Sequence, residues 1–335
     1  MTDFIIAGEK IRPGERRQLA ITVAKLYDFT DMKMPVVVVR GEEEGPTLFV
    51  SAAIHGDEIN GVDIVRRLLK QRSLAHIRGT LIAIPIVNVF GFNDKSRYLP
   101  DRRDLNRSFP GEEHGSLASQ MAYTFRTEIV AQCTHGIDLH TGAIHRRNLP
   151  QIRSDLSLPA NLELAKIFGA PVILNASPRD GSLREMVAEK KIPMLLYEAG
   201  TALRFDRRAS KIGVRGILRV MASIGMLERK NPLSKMHEPF ISKSSHWVRA
   251  PISGIFLTKK RLGATVERGD KLGIITNPFG DHEYAIYSPY AGVIIGHSQL
   301  PLANEGDALY HIATFNAAQR PSEEEIYPYI DPHLQ

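Results

Sequence analysis

The sequence predicts an α/β fold, a mixed sheet flanked by helices, followed by a small all-β domain at its C-terminal end. Three observations carry this reading. Short β-branched runs alternate with stretches of helical spacing between about residues 17 and 223, the pattern of helices packed over a largely parallel or mixed sheet. Past Gly225 the texture changes, and from Trp247 onward no helical periodicity returns until the tail. Within that second region the chain repeats itself. APISGIF (250–256) returns as SPYAGVI (288–294), and VERGDKLGII (266–275) returns as ANEGDALYHI (303–312).

Taken in order, RQLAITVAK (17–25) alternates Leu19, Ile21 and Val23 with other residues, a strand with one buried face. PVVVVR (35–40) and TLFVSAAI (47–54) are denser apolar runs, expected of strands buried on both faces, with EEEGP (42–46) as a turn between them. From Asp57 onward, Ile59, Val62, Val65 and Leu69 fall at helical spacing, giving a helix to about Lys70. TLIAIPIVN (80–88) is a further buried strand. A polar stretch from Gly91 to about Ser116 leads into a helix over about 117–132. Strands follow at GIDLH (136–140) and NLPQIRS (148–154), a helix over 159–168, and a strand at PVILN (171–175). SLREMVAEKK (182–191) is a helix, PMLLYE (193–198) a strand, and the last helix covers about 208–223. NPLSKMHEPF (231–240) has linker composition, so the expected division is a catalytic α/β domain over 1–230 and a β-rich domain over 231–335. Each half of the latter reads as strand, Pro-Gly turn, strand, Gly-Asp turn, strand. It resembles the biotinyl/lipoyl-like barrel-sandwich domains. The turn that carries the modified lysine in those domains corresponds to NPFGDHEY (277–284), which has no lysine and so speaks against a carrier role.

Composition bounds the function. Hydrophobic residues make up 43% and charged ones 24% of the 335, ordinary for a globular chain with ample material for a core. The single cysteine, Cys133, excludes an intramolecular disulfide and fits a reducing cytoplasm. No apolar segment is long enough for a signal peptide or a membrane span, so a cytoplasmic protein without membrane contact is expected. The formal charge of +6 is spread along the chain rather than clustered with aromatics, which argues against nucleic acid. A small anionic substrate explains the surplus of arginine equally well.

Open α/β sheets bind ligands beyond the carboxyl ends of their strands. His55 follows the strand TLFVSAAI, with Glu58 three residues later; His140 closes GIDLH, and Glu198 closes PMLLYE. Two imidazoles and one carboxylate, with a fourth position open, form a known catalytic zinc set. The H-x-x-E spacing places both side chains on one side of a first helical turn, whose free N–H groups favour negative charge. Alone, His55 reads as a helix cap and Glu58 as an ordinary first-turn glutamate. Their weight comes from company: a second histidine in DLHTG, a second acid in YEAG, and the arginine-rich loop RYLPDRRDLNRSFPG (97–111) between them.

HGDE, DLNRSFPG, DLHTG and YEAG, in that order, resemble the succinylglutamate desuccinylase/aspartoacylase family of zinc amidohydrolases, relatives of the zinc carboxypeptidases. The resemblance covers roughly residues 30 to 225 by motif, and the β-domain to about 315 by arrangement. It implies a zinc-carboxypeptidase-like sheet and one Zn2+ per chain, held by His55, Glu58 and His140. By the same resemblance Glu198 is the general base and acid, and Asn106 with Arg107 holds a substrate carboxylate. Arg97 matches the arginine that polarises the scissile carbonyl; the longer gap to DLNR leaves Arg102 and Arg103 as alternatives. Arg184 matches a further carboxylate-binding arginine, with a departure in its spacing to Glu198. The family's C-terminal tyrosine has three candidates, Tyr284, Tyr287 and Tyr290. From the residues themselves, Asp104 reads as a hydrogen-bonding group within its loop, and Asp138 either orients His140 or points away. His114, His135 and His145 read as surface histidines, and His237, His246, His282 and His297 are assigned to no metal. The implied reaction is zinc-dependent hydrolysis of the amide of a small N-succinyl- or N-acetyl-amino acid, with homo-oligomerisation open. Alternatives are deacetylation of an N-acetylated diamine or compatible-solute intermediate, a carboxypeptidase acting on small peptides, and a non-catalytic binding protein.

Overall fold

The computed structural model describes residues 3–228, 238–315 and 321; the expected linker at 231–240 lies outside the described residues up to position 237. A hairpin of β1 (Phe4–Ile6) and β2 (Glu9–Ile11) precedes β3 (Arg16–Lys25), β4 (Asp31–Arg40), β5 (Glu43–Ala52), α1 (Asn60–Leu68), β6 (Arg78–Ile84) and α2 (Val89–Asp94). Next come α3 (Leu117–Glu128), β7 (His135–Gly142), β8 (Arg146–Ser154), α4 (Pro159–Phe168), β9 (Val172–Asn175), α5 (Leu183–Glu189), β10 (Met194–Thr201) and α6 (Arg207–Ser223).

The heart of the sheet is parallel, with neighbours in the order β10-β7-β5-β6. Antiparallel strands flank it, β4 and β3 beyond β6, and β8 beyond β10. The apolar run of β4 explains why this sheet is buried twice over. Val37 and Val39 enter one core with Ile64 of α1, Phe168 of α4 and Ile217 of α6, while Val36 and Val38 enter the other with Phe125 of α3 and Val187 of α5. Each such valine contributes on the order of 1.5–3 kcal/mol by leaving water. Gly61 lets α1 lie close on the sheet, because a Cβ there would come within 2.8 Å of the Ala52 Cβ and 2.9 Å of the Leu139 Cβ.

Two expectations are corrected. EEEGP is not a turn: β5 already begins at Glu43, which pairs with Arg78, and a register shift before Thr47 absorbs Gly45 and Pro46. The strand expected over 80–88 ends at Ile84, because Pro85 has no N–H to continue the ladder. Val87 and Asn88 instead donate their N–H groups to the carbonyls of Ala52 and Ala53, and the Asn88 side chain caps α2 by accepting from the Gly91 N–H.

The C-terminal region comprises β11 (Phe240–Ser242), β12 (Ser245–Arg249), β13 (Gly254–Thr258), β14 (Thr265–Val266), β15 (Lys271–Thr276), β16 (Glu283–Tyr287), β17 (Gly292–Ser298), β18 (Leu302–Ala303) and β19 (Ala308–Thr314). Its pairing reproduces the sequence repeat. One layer has the order β16-β15-β13-β18; the other runs β12-β19-β17, with β14 on β17. Exchanging β12 with β16, β13 with β17, β14 with β18 and β15 with β19 turns one layer into the other, so each layer takes strands from both halves. β17 also pairs with β8, joining Gly296 to Asn148, so the second layer continues the main sheet. Leu149, Val172 and Leu174 accordingly share a core with Phe256, Ile275, Ile294 and Tyr310. Among the described residues no helix is long and apolar enough to cross a membrane.

Candidate metal centre and active-site cleft

Three adjacent parallel strands deliver the central groups. His140 on β7 and Glu198 on β10 are register partners, so their side chains leave the same face side by side. At the end of β5 the chain breaks at Ala53, whose φ of 52° lies in the left-handed region. The HGDE turn then carries His55 and Glu58 over the strand ends. Its Gly56 lies against the backbone of α2, where a Cβ would sit 1.9 Å from the carbonyl carbon of Gly91. The helix that the sequence did not announce is thus the floor on which the turn rests.

His55 and His140 both turn Nδ1 towards Glu58, at 2.8 Å from Oε1 and 2.8 Å from Oε2. Their opposite nitrogens meet carboxylates as well: His55 Nε2 lies 3.2 Å from Asp104 Oδ1, and His140 Nε2 lies 2.7 Å from Asp138 Oδ2. An ionised carboxylate only accepts, so each Nε2 donates to its outer carboxylate, and a metal ion among the three residues would be met by the Nδ1 lone pairs. Two lone pairs and a carboxylate converging within 4.8 Å, all buried, are the surroundings of a cation. His55, Glu58 and His140 therefore fit a metal by donor type, spacing and outer support. Asp138 takes the orienting position, with its other oxygen accepting from Ser51 Oγ at 2.7 Å. Asp104 accepts from the Asn106 N–H within its loop, and also from Arg97 at 3.0 Å.

The electrostatics show how strongly the carboxylates draw positive charge, proton or metal, into the cluster. Burial opposes charge on Glu58, but His55 and His140 outweigh it and hold the carboxyl well below the usual carboxylate range. Burial alone would lower His140; Asp138 and Glu58 reverse this and push it up to about 10. Asp104 likewise is held below its ordinary value against burial, by His55 and Arg97.

The cleft in front of this cluster has a volume of about 480 Å3. Glu198 stands in it with both oxygens engaged, Oε1 by Asn148 Nδ2 at 2.6 Å and Oε2 by Arg153 Nη1 at 3.2 Å. Arg97 lines the cleft and reaches Glu58 Oε1 at 3.2 Å, whereas Arg102 and Arg103 are exposed and outside it. Asn106, Arg107 and Arg184 line it too. Asn106 accepts from the Leu183 N–H at 2.9 Å, and Arg184 donates to the Ala176 carbonyl at 2.8 Å. Burial, with Arg153 beside it, lowers Arg184 to about 10.

The structure corrects one expectation and adds residues. None of Tyr284, Tyr287 and Tyr290 lines the cleft: the first two are exposed, and Tyr290 stacks on His246 at 4.4 Å between ring centroids. The exchange symmetry of the β-region gives the reason. Tyr284 and Tyr287 belong to β16, at the edge of the far layer, while its counterpart β12 borders the cleft and presents Ser245 and Trp247, with His311 beside them on β19. Asn148, Arg146, Arg153 and Arg179 were also missed. A polar residue and an arginine inside the buried strand NLPQIRS were a visible signal for Asn148 and Arg153; Trp247 and His311 had none, because their place depends on how the two layers join.

The fold that carries this cluster is shared with known proteins. Residues 44–224 match the succinylglutamate desuccinylase/aspartoacylase catalytic domain, and the chain belongs to that family. Among its relatives is the N-alpha-acetyl-L-2,4-diaminobutyric acid deacetylase of Halomonas elongata, 28% identical over 248 residues, which are 70% of this chain and 72% of that protein. Among solved structures, the product-bound ectoine utilization protein EutE (DoeB) of Ruegeria pomeroyi aligns with a TM-score of 0.81 at 24% identity, over 90% of this chain and 95% of the other. A succinylglutamate desuccinylase/aspartoacylase from Rhodobacter sphaeroides aligns with 0.80 at 23% identity, over 89% and 95%. These likenesses establish the shared fold.

Proposed function

We propose that the protein is a zinc-dependent deacylase that hydrolyses the amide bond of a small N-acylated amino acid. The observation that carries this reading is the meeting, in one cleft, of the His55–Glu58–His140 cluster, the carboxylate of Glu198, and the guanidinium groups of Arg107 and Arg184, which pair with no acid among the described residues. His55, Glu58 and His140 would hold the zinc ion, and what zinc supplies there is Lewis acidity towards a carbonyl oxygen or a water molecule.

The chain's own residues do the rest. Glu198 takes the proton of the attacking water and passes it to the departing nitrogen, and the bonds from Asn148 and Arg153 fix its orientation. Arg97, held by Asp104 and Glu58, offers its guanidinium to the oxygen on which charge develops. Arg107 and Arg184 bind the substrate carboxylate, for which a planar guanidinium offers two parallel donors. The catalytic part is residues 1–230, and the β-rich domain over 231–335 narrows the mouth of the cleft through its described residues Ser245, Trp247 and His311. The lone buried thiol, Cys133, suits a cytoplasmic enzyme. Among acyl groups, acetyl on a diamino acid is favoured by the name of the Halomonas elongata relative.

The test is release of free amine from zinc-loaded protein, with acetyl-aspartate, succinyl-glutamate and Nα-acetyl-2,4-diaminobutyrate in the panel and Glu198→Gln as control. We expect turnover of at least one member and a fall of about 10²- to 10⁴-fold in the control. Silence across the panel with zinc bound would replace this reading by the peptidase or binding-protein alternative.

A further inference from the structure

The cleft differs in character along its length. Its floor follows β7 and β10, where His140 and Glu198 are register partners. Two residues before Glu198, at about 3.3 Å per residue, Leu196 pairs with Arg153. Arg153, Arg179 and Arg184 act electrostatically on one another there, and Arg107 acts on Arg179, so this end is cationic. Two residues beyond His140 the lining is Gly142, Ala143 and Ile144, an apolar stretch that reaches to Arg146, whose guanidinium lies over the Trp247 ring. The turn at this end breaks a local rule. The Arg146 N–H donates to the Ala143 carbonyl at 3.3 Å, and both central residues, Ile144 (φ 46°) and His145 (φ 58°), lie in the left-handed region. Such a turn favours Asn-Gly, because a β-branched side chain is crowded there. Ile144 gains no burial in return, since it is 56% exposed, and its side chain borders the cleft. The backbone around it is held firmly: the Gly142 carbonyl accepts from the Ala202 N–H at 3.0 Å, and the His145 carbonyl from the Gln299 N–H at 2.7 Å. A strained residue kept on a rigid support at the lip of a site marks a functional contact.

We propose that Ile144, held out by the strained β7–β8 turn, meets the acyl group of the substrate and selects short uncharged aliphatic chains, from acetyl to butyryl. The inference rests on the deacylase reading, in which Arg107 and Arg184 hold the carboxylate of the amino-acid half. With the scissile carbonyl between His140 and Glu198, the acyl half then points along β7 towards the turn. There it covers Ile144, and apolar surface on both sides leaves water. One carboxylate at the cationic end and an aliphatic chain at the other match the two characters of the cleft.

The test uses the full zinc-loaded chain with the Nα-acetyl, propionyl, butyryl and succinyl forms of 2,4-diaminobutyrate. Calorimetry reads their binding to Glu198→Gln, which lacks the general base, and amine release reads turnover with Glu198 in place. From acetyl to butyryl, affinity should rise about two- to fourfold per methylene, as for apolar surface leaving water. Ile144→Asn accepts the left-handed conformation and has no apolar end, so the rise should flatten to under about 1.5-fold per methylene. The same variant should melt about 2–4 °C higher, because the strain is relieved. Ile144→Val, branched and apolar, should keep the rise and melt within about 1 °C of the wild type. A rise that survives Ile144→Asn, or a lower melting temperature in that variant, overturns the proposal. So does succinyl binding best in every variant, which would place Arg146 against the acyl end. If amine is released from none of the four, yet the rise is present and depends on Ile144, the deacylase reading falls and the Ile144 contact stands. Amine release with a flat binding series sinks the Ile144 contact alone.

Discussion

His311 allows a stability prediction that depends on its tertiary setting alone. It is buried, stacked on Trp247 and surrounded by cations; burial first, then Arg153 and Arg146, pushes it down to about 3 from 6.5. Between those values the unfolded chain binds a proton that the native chain does not, so stability falls as pH falls through that window and levels off below it. At pH 5 the unfolded histidine lies 1.5 units below its midpoint, while the native one remains neutral. At 1.36 kcal/mol per unit, this single group costs about 2 kcal/mol between pH 7 and pH 5. His311→Gln removes the titration, keeps a hydrogen-bonding side chain, and lowers stability at pH 7 through the lost stack. The assay is urea unfolding of wild type and variant at both pH values, in the same metal state. The wild type should lose about 2 kcal/mol more than the variant on acidification. Parallel losses would refute the claim that His311 is held neutral in the native protein.

Two further outcomes follow from the metal cluster and its support. Asp138→Asn can present its amide N–H₂ to His140 and reverse the ring's tautomer, so zinc affinity should fall about 10- to 100-fold with the fold retained; a competitive chelator titration giving a change under about twofold would remove Asp138 from the site's support. Gly56→Ala drives a methyl into the α2 backbone at Gly91, which has no side-chain end to give way, and should cost about 2–4 kcal/mol together with zinc affinity. Thermal unfolding and the same titration check it, and wild-type values in both would mean the HGDE turn does not rest on α2.

The sequence by itself determined the alternation of strands and helices, the repeat in the β-region, and the four strand-end groups His55, Glu58, His140 and Glu198. These are legible because a strand buried on both faces must be continuously apolar, so a histidine or glutamate ending such a run has left the core for the crevice. The strand-to-helix spacing of HGDE then puts His55 and Glu58 on one side of the turn, and the packing of Gly56 on α2 holds the turn in place. Tertiary structure decided everything that depends on which strands lie side by side. Asp104 becomes the outer partner of His55 only because its loop folds over the strand ends, whereas Asp138 meets His140 from two residues away on the same strand. Arg146 and Arg153 border the cleft because β8 pairs with β10, and Trp247 and His311 enter it only because β17 joins β8 and brings β12 and β19 to its rim. The same joining sends β16, with Tyr284 and Tyr287, to the opposite edge. Two halves so alike in sequence carry no local mark of which faces the cleft; the pairing of one edge strand with β8 breaks that symmetry.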